Sequence, residues 1–279
     1  MRFWGMFRFT VGEAIRKGTL LFYFGIATLI LVVFAFGIGR QQEHLEMITL
    51  FGRPLMPTVQ PDFNVMDLLL VQLFSLARFW IILFGVFGVA GLIPDMLEKG
   101  TAELFLSKPL SRTELLFARS SGGVIGMSAN MIYFILGIWC IFGVKLGVWH
   151  WGFFISMFYM VYVFACLFSF VALVGLITRS TGLTIMLTFA FTIISWGLEL
   201  RESGLYVIWN NVIYHRFLDA LYYILPQFDA MLDNTTRVIG KNPFIPNAPD
   251  LTYIPFLFSF LSSALLYGLA AFYFEKKDY

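Results

Sequence analysis

Long runs of apolar residues without a formal charge are the feature that most constrains how this chain can fold. The first run, Thr19 to Ile38, contains no Asp, Glu, Lys or Arg and is long enough to cross a bilayer as a helix. In lipid such a run must satisfy its backbone hydrogen bonds internally, as a helix does. Only 13% of the residues are charged, against about 25% in a typical soluble domain. The sequence therefore predicts an all-α integral membrane protein.

Six segments of the 279-residue chain are apolar and long enough to be membrane spans, and we expect residues 1–279 to form a single transmembrane domain. The predicted spans run over about Thr19–Ile38, Leu69–Ile93, Gly122–Val144, Phe153–Ile177, Leu183–Leu198 and Thr252–Phe274.

The positions of Lys and Arg near the span ends predict the orientation of the chain. With the N-terminus inside, the inner segments hold Arg2, Arg8, Arg16, Lys17, Lys99, Lys108, Arg112, Arg119, Arg179, Lys276 and Lys277, whereas the short outer loops hold Arg40, Arg53 and Lys145. We therefore expect a multi-pass protein of the plasma (inner) membrane with both termini in the cytoplasm. A net charge of +2 gives no indication of a nucleic-acid partner.

Two segments outside the spans have helical apolar patterns. In residues 1–18, Trp4, Phe7, Val11 and Ile15 recur at helical spacing, which predicts a helix lying in the membrane surface; a basic flank that only sets topology is the alternative. In the outer segment, residues 200–251, one apolar helical face extends from Leu205 to Leu225 and predicts an amphipathic or re-entrant helix that ends at Pro226. The Pro- and Asn-rich residues 241–250 predict turns.

The sequence carries none of the motifs that would indicate catalysis by the chain itself. The phosphate-binding pattern G-x-x-x-x-G-K-[ST] is absent, so we expect no ATPase activity in this chain. Cys140 and Cys166 lie within spans, and the three histidines stand apart, so we predict no disulfide framework, no metal site and no cofactor of the chain's own. No nucleophile motif or convergent set of acids indicates a catalytic residue.

The cytoplasmic loop predicted over residues 95–121 is the most informative segment. Gly100 can end one helix, Thr101 can cap the next, and Ser111 with Glu114 forms the pattern of a capping box. Between these signals Leu104, Phe105 and Leu106 are apolar but face the cytosol unless something covers them. Physical reasoning leaves two alternatives open: a short helix that docks in a groove on a partner, or a hairpin folded against its own bundle.

The stretch E-K-G-T-A-E-L-F-L-S-K-P-L-S-R, Glu98 to Arg112, resembles the signature of ABC transporter permeases of the type-2 exporter family, E-x-G-T, an apolar triplet, then S-x-P-x-S-R. The sharp match covers residues 95–114. The layout of nearly the whole chain is also similar: an interfacial helix, six spans, an outer helical segment before the last span, and a short basic tail. Leu225-Pro226-Gln227-Phe228 resembles a stretch common before the last span of the family. A broad branch of the family contains subunits linked to maturation of multicopper enzymes, beside drug, lipid and polysaccharide exporters.

The resemblance implies a division of labour. Two permeases, either two copies or a copy and a paralogue, would pair with separate nucleotide-binding (ATPase) subunits, which hold ATP and Mg. The first cytoplasmic loop would be the coupling helix in a groove of that ATPase. Carried over residue by residue, the contact would be formed by Glu98, Gly100, Thr101, Leu104, Phe105, Ser107, Pro109 and Arg112, with Arg179 in the link 178–182 as a smaller second contact. That link has the alternative of a bare turn.

Spans two and five often line the substrate path in the family, which would lie between the paired permeases. Ser75, Thr188, Thr192 and Ser195 are the small polar residues there, although they are equally suited to helix packing. Arg78 is the one full charge well inside a span, and we expect it either to act in gating or an interhelix ion pair, with Glu199 as partner by depth, or to reach the outer headgroups.

Three function classes follow. The first is the permease of an ATP-driven exporter, and the second is a scaffold, assembly or signalling subunit that couples an ATPase to a partner without moving cargo. A membrane-embedded enzyme is the least supported. Met47, Met56 and Met66 in the first outer segment form no ligand cluster that would indicate copper as the cargo.

Overall fold

The chain is a bundle of long helices in a computed structural model that describes residues 2–16, 18–40, 48–54, 71, 75, 79, 82–97, 111–147, 149–209, 211–238 and 252–277. Its helices are α1 (Arg2–Arg16), α2 (Thr19–Gly37), α3 (82–89, with 71, 75 and 79 also helical), α4 (Arg112–Leu146), α5 (Gly152–Thr178), α6 (Thr181–Glu199), α7 (Tyr206–Ile208), α8 (Val212–Ile224), α9 (Phe228–Arg237) and α10 (Ile254–Lys276). A 3₁₀ turn (Asp95–Leu97) follows α3 and a π-helical segment (Arg201–Leu205) precedes α7.

Five of the described helices, α2, α4, α5, α6 and α10, are long and apolar enough to cross a membrane. The prediction of an all-α integral membrane protein is confirmed. The predicted second span is described only at 71, 75, 79 and 82–93, where α3 ends in a turn. Many large apolar side chains on the outward faces of these helices are exposed, as a surface in contact with lipid requires.

Helix α5 is the centre of the bundle, because it packs against α4, α6, α9 and α10 and is the most deeply buried of the candidate spans. Helix α3 approaches it closely through glycine. A Cβ atom at Gly85 would lie 2.7 Å from side-chain atoms of Met131 in α4 and of Phe164 in α5. The absent side chain therefore permits the close packing of three helices, as small residues do in membrane bundles.

Helix α4 begins earlier than the apolar pattern predicts. The capping box is confirmed: Ser111 Oγ accepts from the Glu114 N–H, and the Glu114 carboxylate accepts from the Ser111 N–H. Residues 112–121, predicted as part of the loop, are the first turns of a 35-residue helix. At 1.5 Å per residue this helix is roughly 50 Å long, which exceeds the roughly 30 Å apolar layer of a bilayer. Its first turns therefore extend beyond the span.

Helix α1 has the predicted helical form. Its buried face is Met6 and Thr10, which pack against α4, while Trp4 on the apolar stripe is 54% exposed and stacks on Phe7. Trp4, which belongs to the stripe predicted for the membrane surface, therefore faces away from the bundle. Since the opposite face of α1 is buried against α4, α1 is a packed helix and not only a basic flank.

The segment after α6 differs in part from the predicted single helix. The predicted helical face is interrupted after α7, and Asn211 caps α8 by accepting from the Ile213 N–H. Helix α8 ends before Pro226, as predicted. The sequence pattern missed α9, because its residues Phe-Asp-Ala-Met-Leu-Asp-Asn-Thr-Thr-Arg are largely polar.

A small antiparallel sheet follows α2 and was also not predicted. Its strands, β1 (Ile38–Arg40), β2 (Ile48–Leu50) and β3 (Arg53–Pro54), pair in that order, with Gly39 opposite Thr49. Strands of two or three residues are too short to show an alternating pattern. The predicted turns at 241–250 lie outside the described residues.

Candidate functional site

The first and last described helices meet at one end of the bundle, which we call the basic end. It comprises α1, the turn Arg179–Ser180, the C-terminus of α10 and the two segments that flank residues 98–110, which we call the first and second stems. Contacts between α1 and α4 and between α4 and α10 bring these parts together. The other end, which carries the small sheet and the segment from Arg201 to Arg237, is called the far end.

The first stem is the 3₁₀ turn after α3. Met96 in this turn is buried, and Ile93 and Pro94 pack against the backbone of Gly175 in α5, where a Cβ atom would lie 3.3 Å from Ile93 and 3.2 Å from Pro94. The stem is therefore seated on the central helix before the chain leaves the bundle.

The second stem is the first turn of α4, which is joined to the last helix. The Arg112 guanidinium donates to the carbonyl oxygens of Phe274 at 3.4 Å and of Glu275 at 3.3 Å, and also to that of Lys277. The last carbonyl oxygens of a helix carry partial negative charge, so a cation is favourable at this position. Arg112 therefore links the start of α4 to the end of α10.

Arg119, two turns further along α4, links the second stem to α1. Its guanidinium forms an ion pair with the Glu13 carboxylate and donates to the Leu92 carbonyl oxygen at 3.4 Å. Arg119 is 0% exposed, and the Glu13 carboxylate helps to compensate this buried charge. One side chain thus connects α1, α4 and the end of α3.

The predicted ATPase contact lies mostly outside the described residues. This applies to Glu98, Gly100, Thr101, Leu104, Phe105, Ser107 and Pro109. Arg112 is described and partly exposed, and Arg179 is exposed on a left-handed turn (φ 52°) that separates α5 from α6. The two arginines are both at the basic end, as the predicted contact requires.

A cavity of about 360 Å³ lies between α3, α6 and α9, with Leu167 of α5 at its wall. Its aromatic wall consists of Phe79, Phe189, Trp196 and Phe228, and its aliphatic wall is completed by Ile82, Leu83, Ile193 and Leu232. Among the described residues, the polar side chains in the lining are Thr192 and Asp229. A volume in this range suits one small molecule.

Of the residues predicted for a substrate path, Thr192 lines this cavity. Its hydroxyl donates to the Phe189 carbonyl oxygen at 2.8 Å within α6. Thr188 is fully buried and donates to the Thr184 carbonyl oxygen, and Ser75 is partly buried on a helical position. Ser195 contacts the start of α9 instead.

Helix α9 enters the bundle with its N-terminus held by two serines. The Ser195 hydroxyl of α6 accepts from the Phe228 N–H at 3.1 Å and donates to the Pro226 carbonyl oxygen at 3.3 Å. The Ser259 hydroxyl of α10 accepts from the Gln227 N–H at 2.8 Å. The Phe228 N–H also donates to the Pro226 carbonyl oxygen at 3.0 Å. Buried N–H groups at a helix start need such partners, and the two serines thereby fix the first turn of α9, which includes Asp229, against the cavity. A helical pattern in the sequence does not reveal such a clamp.

At the far end, Arg201 fastens α8 to the end of α6. Its guanidinium bonds Asp219 at 3.0 Å and the Leu198 carbonyl oxygen at 3.3 Å, and lies 3.7 Å from the Tyr222 ring centroid. The Tyr206 hydroxyl donates to Asp219, and this bond, together with Arg201, holds the pKa of Asp219 below its ordinary value. The same bond raises the pKa of Tyr206.

The predicted pairing of Arg78 with Glu199 is not described, because Arg78 lies outside the described residues. Glu199 accepts a hydrogen bond from the Tyr222 hydroxyl at 2.8 Å and so lies beside Arg201 at the far end. Among the residues that the structure describes, no group of three His, Cys, Asp or Glu side chains could hold a metal ion.

Comparison with known proteins gives one result. A family model described as ABC-2 family transporter protein matches residues 13–279, from the last turn of α1 to the end of the chain. A search of curated proteins found no match. The family match gives no branch within the family.

Proposed function

The chain belongs to the ABC-2 family of transporter proteins, and from this premise we propose that it is the permease subunit of an ATP-driven exporter. ABC-2 permeases are multi-pass membrane components that work with an ATP-binding subunit. In the proposed complex, that separate subunit hydrolyses ATP with Mg, and this chain converts the movement into export of a substrate. The observation that carries the proposal is the family match over residues 13–279, which includes the whole loop Glu98–Arg112.

The loop between the two stems is the proposed coupling site. Leu104 and Phe105 would be the buried anchors in a groove of the ATPase, and Glu98 and Arg112 would form the polar rim. Buried apolar anchors surrounded by polar groups are the usual arrangement of a strong protein contact. Arg179, exposed at the same end, would add a smaller contact.

Movement of the loop would be passed to the bundle through its stems. Arg112 joins the second stem to α10, and Arg119 joins it to α1 and to the end of α3. Elements tied in this way shift together as a rigid body when one of them is displaced. This shift would switch a pair of permeases between inward-open and outward-open states.

The cavity between α3, α6 and α9 supports transport over the alternative of a scaffold that moves no cargo. It is lined by α3 and α6, which belong to the predicted second and fifth spans, and by Thr192. A scaffold requires docking surfaces but no cavity of small-molecule size between its helices. We further propose that a second permease, a copy or a paralogue, completes the path, and that the basic end faces the cytoplasm across the plasma membrane.

A pull-down in mild detergent tests the coupling site. We expect Leu104→Arg and Glu98→Arg to reduce the amount of copurified ATPase at least tenfold, because each alters the centre or rim of the contact, and hot-spot losses reach about 2–4 kcal/mol. Arg216→Glu, an exposed charge reversal at the far end, is the matched control and should retain the ATPase. Elution at the native volume in size exclusion shows that each variant folds.

Two outcomes would contradict the proposal. Full retention of the ATPase by both loop variants would remove residues 98–112 as the coupling site. Absence of any nucleotide-binding protein with the native chain would favour the scaffold.

A further inference from the structure

The outward face of α1 carries positive charge with no carboxylate beside it. Arg8 and Arg16 are exposed, and neither forms an ion pair with a residue that the structure describes. The Arg8 guanidinium lies 5.2 Å from the Trp4 ring centroid. Glu13, the sole acidic residue in the sequence of this helix, pairs with the buried Arg119 on the inward side. The outward side of α1 is therefore cationic.

Two contacts place α1 at the depth where the spans begin. A Cβ atom at Gly122 of α4 would lie 2.8 Å from the Thr10 Cβ atom of α1, and Gly122 is where the predicted third span starts. At its other end α1 is joined to α2 by two residues, of which Gly18 has the left-handed conformation (φ 72°). Helix α1 therefore lies at the boundary between the apolar layer and the lipid headgroups.

Apolar side chains share this outward face with the arginines. Trp4 is 54% exposed and Ile15 is 45% exposed, and both lie on the side of the helix opposite the buried Met6 and Thr10. A tryptophan ring is favourable at the membrane boundary, and a guanidinium stacked on it remains at the level of the headgroups. A face that combines apolar anchors with unpaired cations complements an anionic lipid surface.

We propose that the outward face of α1 binds anionic phospholipids of the leaflet at the basic end. Arg8 and Arg16 contact the phosphate groups, and Trp4 and Ile15 lie among the upper parts of the acyl chains. A zwitterionic phospholipid offers the same apolar contact without a net charge, so it should bind this face less tightly. The inference is independent of the substrate that the bundle moves.

Native mass spectrometry of the purified full-length chain in a neutral detergent tests the proposal. The chain is titrated with phosphatidylglycerol or with phosphatidylcholine of the same acyl chains, and we expect about tenfold tighter binding of phosphatidylglycerol. An arginine near an anionic lipid surface contributes about fivefold to the affinity. Arg8→Gln combined with Arg16→Gln should therefore weaken phosphatidylglycerol binding about tenfold or more, to the level of phosphatidylcholine, and leave phosphatidylcholine binding unchanged.

Arg216→Gln combined with Lys276→Gln is the matched control, because it removes two other exposed cations, one from each end of the bundle. It should leave the preference for phosphatidylglycerol intact, and elution at the native volume in size exclusion shows that each variant folds. The proposal is overturned if the native chain binds both lipids equally, or if the two double variants lose phosphatidylglycerol equally, which would show only a general effect of charge. Unchanged lipid binding by the α1 variant, beside loss of the copurified ATPase, would overturn it in favour of a protein partner on this face.

Discussion

Arg119 carries its charge in a place where an isolated charge would be very costly. It is inaccessible to solvent, and its guanidinium is compensated by Glu13 of α1, 106 positions away in the sequence. A buried ion pair contributes little net stability over apolar residues of the same shape, but removal of one partner leaves an unpaired buried charge. The pair therefore makes the docking of α1 on α4 depend on two particular residues.

We predict that Glu13→Gln lowers the stability of the purified chain, whereas Glu13→Leu combined with Arg119→Met largely restores it. The single change removes the Glu13 carboxylate from the buried Arg119 guanidinium, at a cost of about 1–3 kcal/mol. The double change removes both charges and keeps apolar volume. Thermal unfolding in detergent, followed by tryptophan fluorescence, measures both.

Glu275→Gln is the control for the loss of one carboxylate at the same end of the bundle, because Glu275 is exposed. Its melting temperature should equal that of the native chain, as exposed charges contribute little. A double variant that is no more stable than Glu13→Gln would contradict the compensation of charge and would assign the effect to packing.

The sequence predicts Arg119 only as one of the positive charges near the inner ends of spans. Its burial and its partner depend on how α1 lies across α4, which the pattern of residues does not contain. The same limit applies to the small polar residues of α6. Thr192 and Ser195 look alike in sequence, yet the first lines the cavity and the second holds the N-terminus of α9.

At the scale of elements, the segment from Arg201 to Ile224 is held mainly by polar contacts. Many apolar side chains of α7 and α8 are exposed in the isolated chain, including Val207 and Ile213. The Arg201–Asp219 ion pair and the Tyr206–Asp219 hydrogen bond connect these helices to the end of α6. The ionised Asp219 carboxylate therefore contributes to the anchoring of α8, beside the hydrogen bond from Tyr222 to Glu199.

We predict that the contacts of Asp219 with Arg201 and Tyr206 weaken at acidic pH and are intact at neutral pH. The folded pKa of Asp219 is lowered by Tyr206 and Arg201, so its stabilising contribution is complete above the unfolded value of about 4. The contribution is lost as the pH falls through the folded pKa. Amide hydrogen exchange over residues 206–224 should show greater protection in the native chain than in Asp219→Asn at pH 6, and a smaller difference between the two at pH 3.

Glu202→Gln provides the matched control, because Glu202 also contacts Arg201, at 3.4 Å, but its side chain is 75% exposed. It should leave the protection unchanged at both pH values. A difference between the native chain and Asp219→Asn that is as large at pH 3 as at pH 6 would mean that the shape of the side chain, and not its charge, anchors α8.

Long apolar runs in the sequence predict helices well, whereas a helix with a short, largely polar sequence is not predicted. The long runs predict α2, α5, α6 and α10 to within a few residues, because lipid imposes both length and composition on a span. Helix α9 has a largely polar sequence and is helical where tertiary contacts satisfy its N-terminus, through Ser195 and Ser259. Those contacts join residues about 30 positions apart and leave no periodic signal.

At the scale of the whole molecule, α1, the loop stems and the end of α10 meet at one end of the bundle. Arg112 contacts the C-terminal residues, and Arg119 contacts α1. If both termini lie on one side of the membrane, the chain crosses it an even number of times. The described residues contain five candidate spans, and a crossing by the helix that contains α3 would make six. Burial of α3 among α4 and α5 supports that arrangement.

We predict that the basic end of the bundle lies in the cytoplasm. In a variant with Cys140 and Cys166 replaced by Ala, a single cysteine at Ser180 should react with a membrane-impermeant maleimide only after the cells are opened, whereas one at His150 should react in intact cells. Ser180 follows α5 at the basic end and His150 precedes α5 at the far end, so the two positions flank the same span. The cytoplasmic placement follows from the excess of Lys and Arg at the basic end. The reverse labelling pattern would put the loop Glu98–Arg112 outside, where no ATP-hydrolysing subunit could reach it, and would refute the coupling proposal together with the orientation.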